Sequence, residues 1–373
     1  MNYSRIILSI SLLLSLLQSL SFATSSHDAF IQCLENHSNS SISSLIYTQN
    51  NSSYSSILQN YIRNLRFNES YTPKPQIIII AGQISDIQTA IFCGKAHKMQ
   101  MKIRSGGHDY EGVSYWSDEP DFFVLDMFRL RSIDVDVQDE SAWVEVGATL
   151  GEVYYRIAEK SPVHGFPAGV CPTVGVGGHL SGGGYGNMMR KFGLTIDNVV
   201  DATMVDVRGR LLDRKAMGEE LFWAITGGGG SSFGVVVLYK IKIVRVPNGR
   251  MADIPPSEKP FPHRAGNIAK LQYATNWNEQ GAEAANRYLN LTRELYEFMT
   301  PYVSMAPREA FLNYRDLDIG VNHNGRNSYL EGLVFGTSYF KENFNKLVKV
   351  KTRVDKDNYF RNEQSIPVFP WKK

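Results

Sequence analysis

The stretch Gly169–Gly186, GVCPTVGVGGHLSGGGYG, limits the possible fold more than any other part of the chain. Gly175, Gly177, Gly178, Gly182, Gly183 and Gly184 strip side chains from a run that also carries Cys171 and His179. Glycines this dense permit positive φ and let backbone N–H groups approach a ligand closely. A phosphate-bearing cofactor lying along the main chain needs such access. The spacing fits neither standard nucleotide fingerprint: no GxGxxG opens a helix after a strand, and no GxxxxGK precedes a Ser or Thr. The alternative is that the glycines serve tight turns in a β-rich domain. A second Gly-Gly-His cluster, RSGGHDY at Arg104–Tyr110, and a third cluster at Gly227–Gly230 weigh against turns alone.

At 373 residues the chain is long enough for two domains and a sizeable core. Its 39 Lys and Arg nearly balance 37 Asp and Glu, and no basic run interleaves with aromatics. No nucleic-acid surface is expected, and the partner should be a small molecule. Met1–Ala23 sets Arg5 before the apolar run Ile6–Leu17 and ends in Ser21-Phe22-Ala23, the layout of a secretory signal peptide. Its apolar part is too short to span a membrane, and no later run is long enough. Sequons at Asn36, Asn39, Asn50, Asn51, Asn68 and Asn290 agree with secretion, to the extracellular space and cell wall or to the vacuole. Three cysteines leave one unpaired if two form a disulfide.

Asp28–Leu34 reads as a short helix, Ser38–Ser44 as a polar loop, and Ser52–Asn64 as a second helix. The β-branched run within Gln76–Ala81 predicts a strand buried on both faces. Ser85 is placed to cap a helix over Asp86–His97, and Lys102–Arg104 opens the next strand. The first glycine cluster therefore lies at the C-terminal end of a strand, where ligands of such sheets usually sit. Phe122–Asp126, Ala142–Val146, Val199–Val207 and Val235–Val244 read as further strands. Thr149 with Glu152 forms a capping box for a helix to Lys160. After Pro247 the texture changes. Asn248–Arg264 reads as a proline-rich linker. Ile268–Trp277 is the one strand candidate, followed by a helix at Ala282–Phe298 with Leu291, Leu295 and Phe298 facing inward. Ser328–Phe340 and Asn343–Val350 read as closing helices.

RSGGHDYEG at Arg104–Gly112, CPTVGVGGHLSGGGYG at Cys171–Gly186 and NYRDLDIG at Asn313–Gly320 resemble the berberine bridge enzyme-like proteins. FNKLVKVKTRVD and the later FRNEQSIP resemble the C-terminal signature of that family. Its members are plant secreted flavoproteins with the FAD fold of vanillyl-alcohol oxidase and p-cresol methylhydroxylase; reticuline oxidases and cannabinoid acid synthases belong to it. The resemblance implies an α+β fold: a two-subdomain FAD-binding domain of the p-cresol methylhydroxylase type over residues 28–246. Residues 247–325 are then a truncated substrate-domain remnant, and 326–373 a segment returning to the FAD domain. The family pairs the positions of Cys33 and Cys93, which leaves Cys171 as the odd thiol.

The same resemblance implies FAD attached bicovalently, His108 to the 8α-methyl and Cys171 to C6. Imidazole and thiolate both add to an electrophilic ring, and two bonds would hold it in place and raise its potential. The alternatives are an ordinary turn histidine and a buried inert thiol. Arg104, Ser105, Gly106, Gly107 and Asp109 around His108 are expected near the cofactor. Gly175, Gly178, Gly182, Gly183, Gly184, Tyr185 and Gly186 would add backbone donors around pyrophosphate and ring. His179 either donates to phosphate or fills a loop. Gly227–Gly230 and Phe233–Val236, with Val236 counted as a cofactor contact, approach the adenine side or turn between strands. Val174 matches an oxygen gate, where Val accompanies oxidase and larger Ile or Leu dehydrogenase behaviour; the alternative is a generic buried valine. Tyr314 matches a tyrosine that acts as general base in cannabinoid-type members, with Asn313 holding flavin or substrate. A phenol of ordinary pKa is a poor base unless positive charge lowers it. Arg315 is adjacent, Asp316 opposes it, and a core-lining tyrosine is the alternative. His263 either replaces a missing base or is a satisfied surface histidine.

Family members fold an antiparallel sheet between the equivalents of Val246 and about Gly249, and this chain lacks it. A sheet needs three or more strands with an apolar face, which Pro247–Gly325 does not offer, so Ala282–Phe298 should expose an apolar patch. Three readings follow. The first is an oxidase, a monomer taking hydride from an alcohol, sugar or alkaloid-type molecule and passing electrons to O2. The second is a flavin-binding glycoprotein without turnover. The third is a non-folding fragment of a longer protein.

Overall fold

The computed structural model describes residues 26–38, 42–245, 255–263, 272–305, 308–325 and 328–370. The signal-peptide reading, the sequon at Asn39, Arg264 and most of the first half of the Ile268–Trp277 candidate lie outside these residues.

Helix α1 (Ser26–His37) leads to strand β1 (Ile46–Thr48) and the short helix α2 (Tyr54–Gln59). The expected helix over Ser52–Asn64 stops early, and Asn64 instead accepts from the Arg66 N–H and starts a 3-10 turn. Strand β2 (Ile77–Ile80) is buried along its whole length, as its β-branched run requires. Helix α3 (Ile84–Ala96) begins earlier than a Ser85 cap would place it. The reason is Asp86, whose Oδ2 accepts from the Gly82 and Gln83 N–H groups at 2.9 and 3.1 Å and so starts the helix at Ile84. The Cys33–Cys93 disulfide ties α1 to α3. Strands β3 (Gln100–Arg104) and β4 (Phe122–Asp126) complete a sheet ordered β1-β2-β4-β3, with β2, β4 and β3 parallel.

The second subdomain opens with β5 (Ile133–Asp136) and β6 (Ser141–Glu145). Helix α4 (Leu150–Lys160) follows its predicted capping box: Thr149 N–H donates to Glu152 at 2.9 Å and Glu152 N–H to the Thr149 hydroxyl at 3.4 Å. Then come β7 (His164–Gly165), α5 (Val176–Ser181), α6 (Met189–Phe192), β8 (Val199–Val205), β9 (Leu211–Leu212), α7 (Arg214–Ile225), β10 (Val235–Lys242) and β11 (Val244–Arg245). The sheet β5-β6-β10-β8-β9 is antiparallel throughout, and β11 pairs with β7. One continuous apolar core joins the two subdomains, so the loops between them rest on a fixed frame.

Beyond β11 the described residues contain no β-strand. Gln272–Trp277, the described part of the strand candidate, takes no regular structure, since no neighbouring strand offers it hydrogen bonds. Helix α8 (Ala282–Met299) buries only Ala284 and Ala285, while Leu291, Leu295 and Phe298 are 50, 45 and 67 % exposed. The expected apolar patch is present. Helices α9 (Ser328–Phe340) and α10 (Asn343–Val354) then pack back on the core. Lys102 on β3 and Glu363 form a buried ion pair at 3.0 Å, which seats the C-terminal segment beside the first glycine cluster.

Candidate functional site

Strand β3 ends on Arg104, whose guanidinium is fully buried and bonds Asp126 at 2.6 Å and the Ile57 and Leu58 carbonyls. The side chain therefore anchors the loop rather than facing a ligand. Ser105 donates to the Val146 carbonyl at 2.6 Å and accepts from the Gly177 N–H at 3.3 Å. Gly106 and Gly175 pack backbone against backbone, and a Cβ on either would fall inside the other's van der Waals surface. Gly107 takes φ 65° against the Tyr61 carbonyl, where only glycine sits without strain.

This contact sets the two predicted nucleophiles on meeting loops. The His108 ring, half-buried, lies 2.9 Å from the Thr173 hydroxyl through Nε2, and Cys171, an exposed thiol, is two residues from Thr173. Burial first, then the Arg63 charge, pulls the imidazole below its usual range against the Thr173 bond. At neutral pH it is therefore uncharged and offers a lone pair. Val174 follows in the same turn, partly buried against the core.

Within Gly169–Gly186 most glycines admit other parts of the protein. Gly182 makes room for the Asn313 amide, Gly183 for Phe311, Gly184 for His179 and Thr195, and Gly186 for the Ala168 carbonyl. The N–H groups of Val176, Gly177, Gly182, Gly183 and Gly184 already have protein acceptors. They are therefore not the free donors that the sequence suggested for a pyrophosphate. Gly178 alone in this run faces open space, with nothing within 4 Å of a built Cβ. His179 fills a loop, its Nε2 3.2 Å from the Gly169 N–H and 3.1 Å from the Thr195 hydroxyl. Gly227 and Gly229 donate to the Ser181 carbonyl, and Val236 is buried over Gly230, so this third cluster turns and packs on α5.

The NYRDLDIG segment packs on the glycine run. Asn313 accepts from Gly184 N–H at 2.9 Å and donates to the Gly178 carbonyl at 3.0 Å. Tyr314 stacks on Tyr110, and its hydroxyl lies 2.6 Å from that of Tyr185. Phe261, Phe311, Leu194 and Ile196 pack behind this wall. Burial, then the bond to Tyr185, pushes the Tyr314 phenol well above its ordinary range. Arg315 does not counter this, because it turns away to Asp109 and Asn362. Tyr314 thus keeps its proton in this arrangement and is not a ready base. His263 is buried rather than on the surface, with Glu309 at 2.9 Å and the Tyr339 carbonyl at 3.0 Å. Both its nitrogens are engaged because Phe261 draws the linker into the interior.

Two groups escaped the sequence reading. Tyr110 stacks on a residue 204 positions away, which no local pattern reveals, though its place in the RSGGHDY motif was a signal. Glu111 sits half-buried against Arg66.

Residues 75–214 match the family described as FAD binding domain, and residues 310–367 the family described as berberine and berberine like. Berberine bridge enzyme-like 8 of Arabidopsis thaliana is 41 % identical over 512 residues, covering 94 % of this chain and 97 % of the relative. Tetrahydroberberine oxidase of Berberis wilsoniae is 37 % identical, covering 98 % and 99 %. Among solved structures, Phl p 4, a grass pollen allergen described as a glucose dehydrogenase, superposes with TM-score 0.87 at 31 % identity, covering 91 % and 99 %. A Phl p 4 variant with one isoleucine replaced by valine is described as a glucose oxidase. This chain belongs to the berberine bridge enzyme-like family.

As a berberine bridge enzyme-like protein it is an FAD-dependent oxidoreductase by family, with the p-cresol methylhydroxylase-type fold. The donor set suits a flavin: two nucleophilic side chains on loops in contact, an aromatic wall, and the open face at Gly178. The alignment with the Arabidopsis relative is longer than this whole chain, so that relative carries a block with no counterpart here. Among the described residues no helix is long and apolar enough to cross a membrane.

Proposed function

We propose that the protein is a secreted oxidase that holds FAD through His108 and Cys171 and removes hydride from a small alcohol, sugar or alkaloid-type molecule. The observation that carries this reading is the 2.9 Å contact of His108 with Thr173, which sets the imidazole beside the Cys171 turn. FAD, when bound, would supply the hydride acceptor and deliver the electrons to O2. His108 would hold it through a neutral nitrogen and Cys171 through its exposed sulfur. Val174 in the adjoining turn is assigned the oxygen gate on the family resemblance, and in the related Phl p 4 one isoleucine-to-valine replacement accompanies the change from glucose dehydrogenase to glucose oxidase. Tyr314 keeps its proton on Oη and orients substrate through the Tyr185 pair. In the overall change the substrate loses a hydride and a proton, and O2 takes up two electrons and two protons as H2O2. The division into an FAD domain over 28–246, a remnant over 247–325 and a returning C-terminal segment belongs to the same proposal, as does a monomeric state.

A second reading, a flavin-binding glycoprotein without turnover, is favoured by the bare apolar face of α8 and the missing block. One preparation separates the two. Secreted protein is precipitated with acid, and a yellow pellet establishes covalent flavin. Peroxide release on a panel of monolignols, oligosaccharides and alkaloids then marks the oxidase. A yellow protein silent on the whole panel leaves the second reading, and a colourless one ends both.

A further inference from the structure

Around Glu111, four carboxylates meet three guanidinium groups from separate segments. Glu111 pairs with Arg66 at 3.0 Å, and Asp109 faces Arg315 at 3.6 Å. Asp318 is held bidentately by Arg293 of α8 at 2.6 and 2.7 Å. Asp316 accepts from the Asp318 N–H at 2.9 Å. Asp109 also accepts from the Glu111 and Val113 N–H groups, and Asn64 bonds the Tyr110 carbonyl at 2.8 Å. The cluster thus joins the 3-10 turn after Asn64, the loop carrying His108 and Tyr110, and the segment carrying Tyr314.

We propose that Glu111 is a positioning residue: together with Arg66, Asp109 and the Asp316–Asp318 turn it forms a latch that fixes Tyr110 against Tyr314. The charge count calls for a bound proton. Four carboxylates share three arginines in a half-buried site, and repulsion is relieved when one is neutral. Glu111 is the member to carry it: it feels Arg66 against three like charges, Asp316, Asp109 and Asp318, with Arg293 farther off, whereas Asp316, also raised by burial, has the Asp318 N–H to hold its anion. Burial, reinforced by those three, raises its carboxyl to about 7. A folded-state value raised above 4.5 means that the native protein binds this proton more tightly than the unfolded chain. The latch is closed in mild acid, weakens as pH rises through about 7, and is loose above it.

The effect on turnover rests on the oxidase reading, whereas the latch does not, and two readouts keep them apart. Near-ultraviolet circular dichroism of the tyrosines, followed from pH 5 to 9 in the full chain, should show a transition near 7. Glu111→Gln should abolish that transition while leaving the histidine changes at lower pH. Asp318→Asn, which removes one like charge and frees Arg293, should move the midpoint to lower pH, and it carries the test if Glu111→Gln does not fold. A transition that survives in Glu111→Gln, or a midpoint that Asp318→Asn leaves in place, overturns the latch. In coloured protein, the rate of flavin reduction should fall through the same pH interval and become flat there in Glu111→Gln. Colourless protein with the dichroism transition keeps the latch and removes the oxidase reading.

Discussion

Tyr110 and Tyr314 stack with ring centroids 5.4 Å apart and planes 15° from parallel. The stack joins the loop of His108 to the C-terminal part of the chain, and the Tyr314 hydroxyl reaches onward to Tyr185. The Cys171 sulfur is near enough for its charge to act on both rings. The hydroxyls of the stacked pair keep their protons at neutral pH, because burial raises Tyr110 and Tyr314 alike.

Tyr314→Phe should therefore retain the fold and the flavin. Losing one hydroxyl contact is worth about 1 kcal/mol, or roughly fivefold in rate. Stopped-flow flavin reduction checks this. A loss of about a hundredfold or more would restore the general-base role.

Gly106→Ala and Gly175→Ala should each push the two loops apart, because the new methyl meets backbone and not a flexible side chain. Overpacking of this kind costs about 1–3 kcal/mol. Urea unfolding should show it, with loss of yellow colour in the secreted protein. Gly178→Ala is the control. Its Cβ meets nothing, and stability should hold or rise by up to about 1 kcal/mol.

Asp126→Asn should be far more damaging than a change of one atom suggests. It strands the fully buried Arg104 guanidinium, and breaking such a pair costs about 3–5 kcal/mol. The denaturation midpoint measures the loss directly. Arg104→Met with Asp126→Leu should recover part of it.

Cys33→Ser opens a loop of 60 residues and should cost about 4 kcal/mol under nonreducing conditions. Reducing agent should bring wild type to the same midpoint.

The pH response of His108 runs opposite to that of Glu111. Its folded value lies below 6.5, so the unfolded chain binds the proton more tightly and this contribution to stability is lost as pH falls below that value. In protein carrying no flavin, His108→Gln should flatten the acid limb of the melting-temperature profile. An unchanged limb would mean the ring is solvated as in a free peptide.

The local parts of this architecture were legible in the sequence. The isoleucine run became a fully buried strand, and Thr149 and Glu152 closed their capping box. Each follows from forces acting within a few residues. The helix beginning at Ile84 was misplaced because Asp86, not Ser85, satisfies the leading N–H groups. Contacts between distant segments stayed hidden. Neither the engagement of Arg104 by Asp126 nor the turning of Arg315 toward Asp109 leaves a spacing signal. The glycines misled in part: they made room for Asn313, Phe311 and Thr195 as much as for any ligand. Ile268–Trp277 had strand composition but no sheet to join, so its described part stays irregular.

The buried bond from Lys102 to Glu363 crosses 261 positions of chain. Its acidic half is synthesised 261 positions after its basic half, so the strand feeding the His108 loop lacks its counter-charge until Glu363 has been made. Attachment of a prosthetic group at that loop should then wait for Glu363, and nascent chains arrested before it should incorporate none.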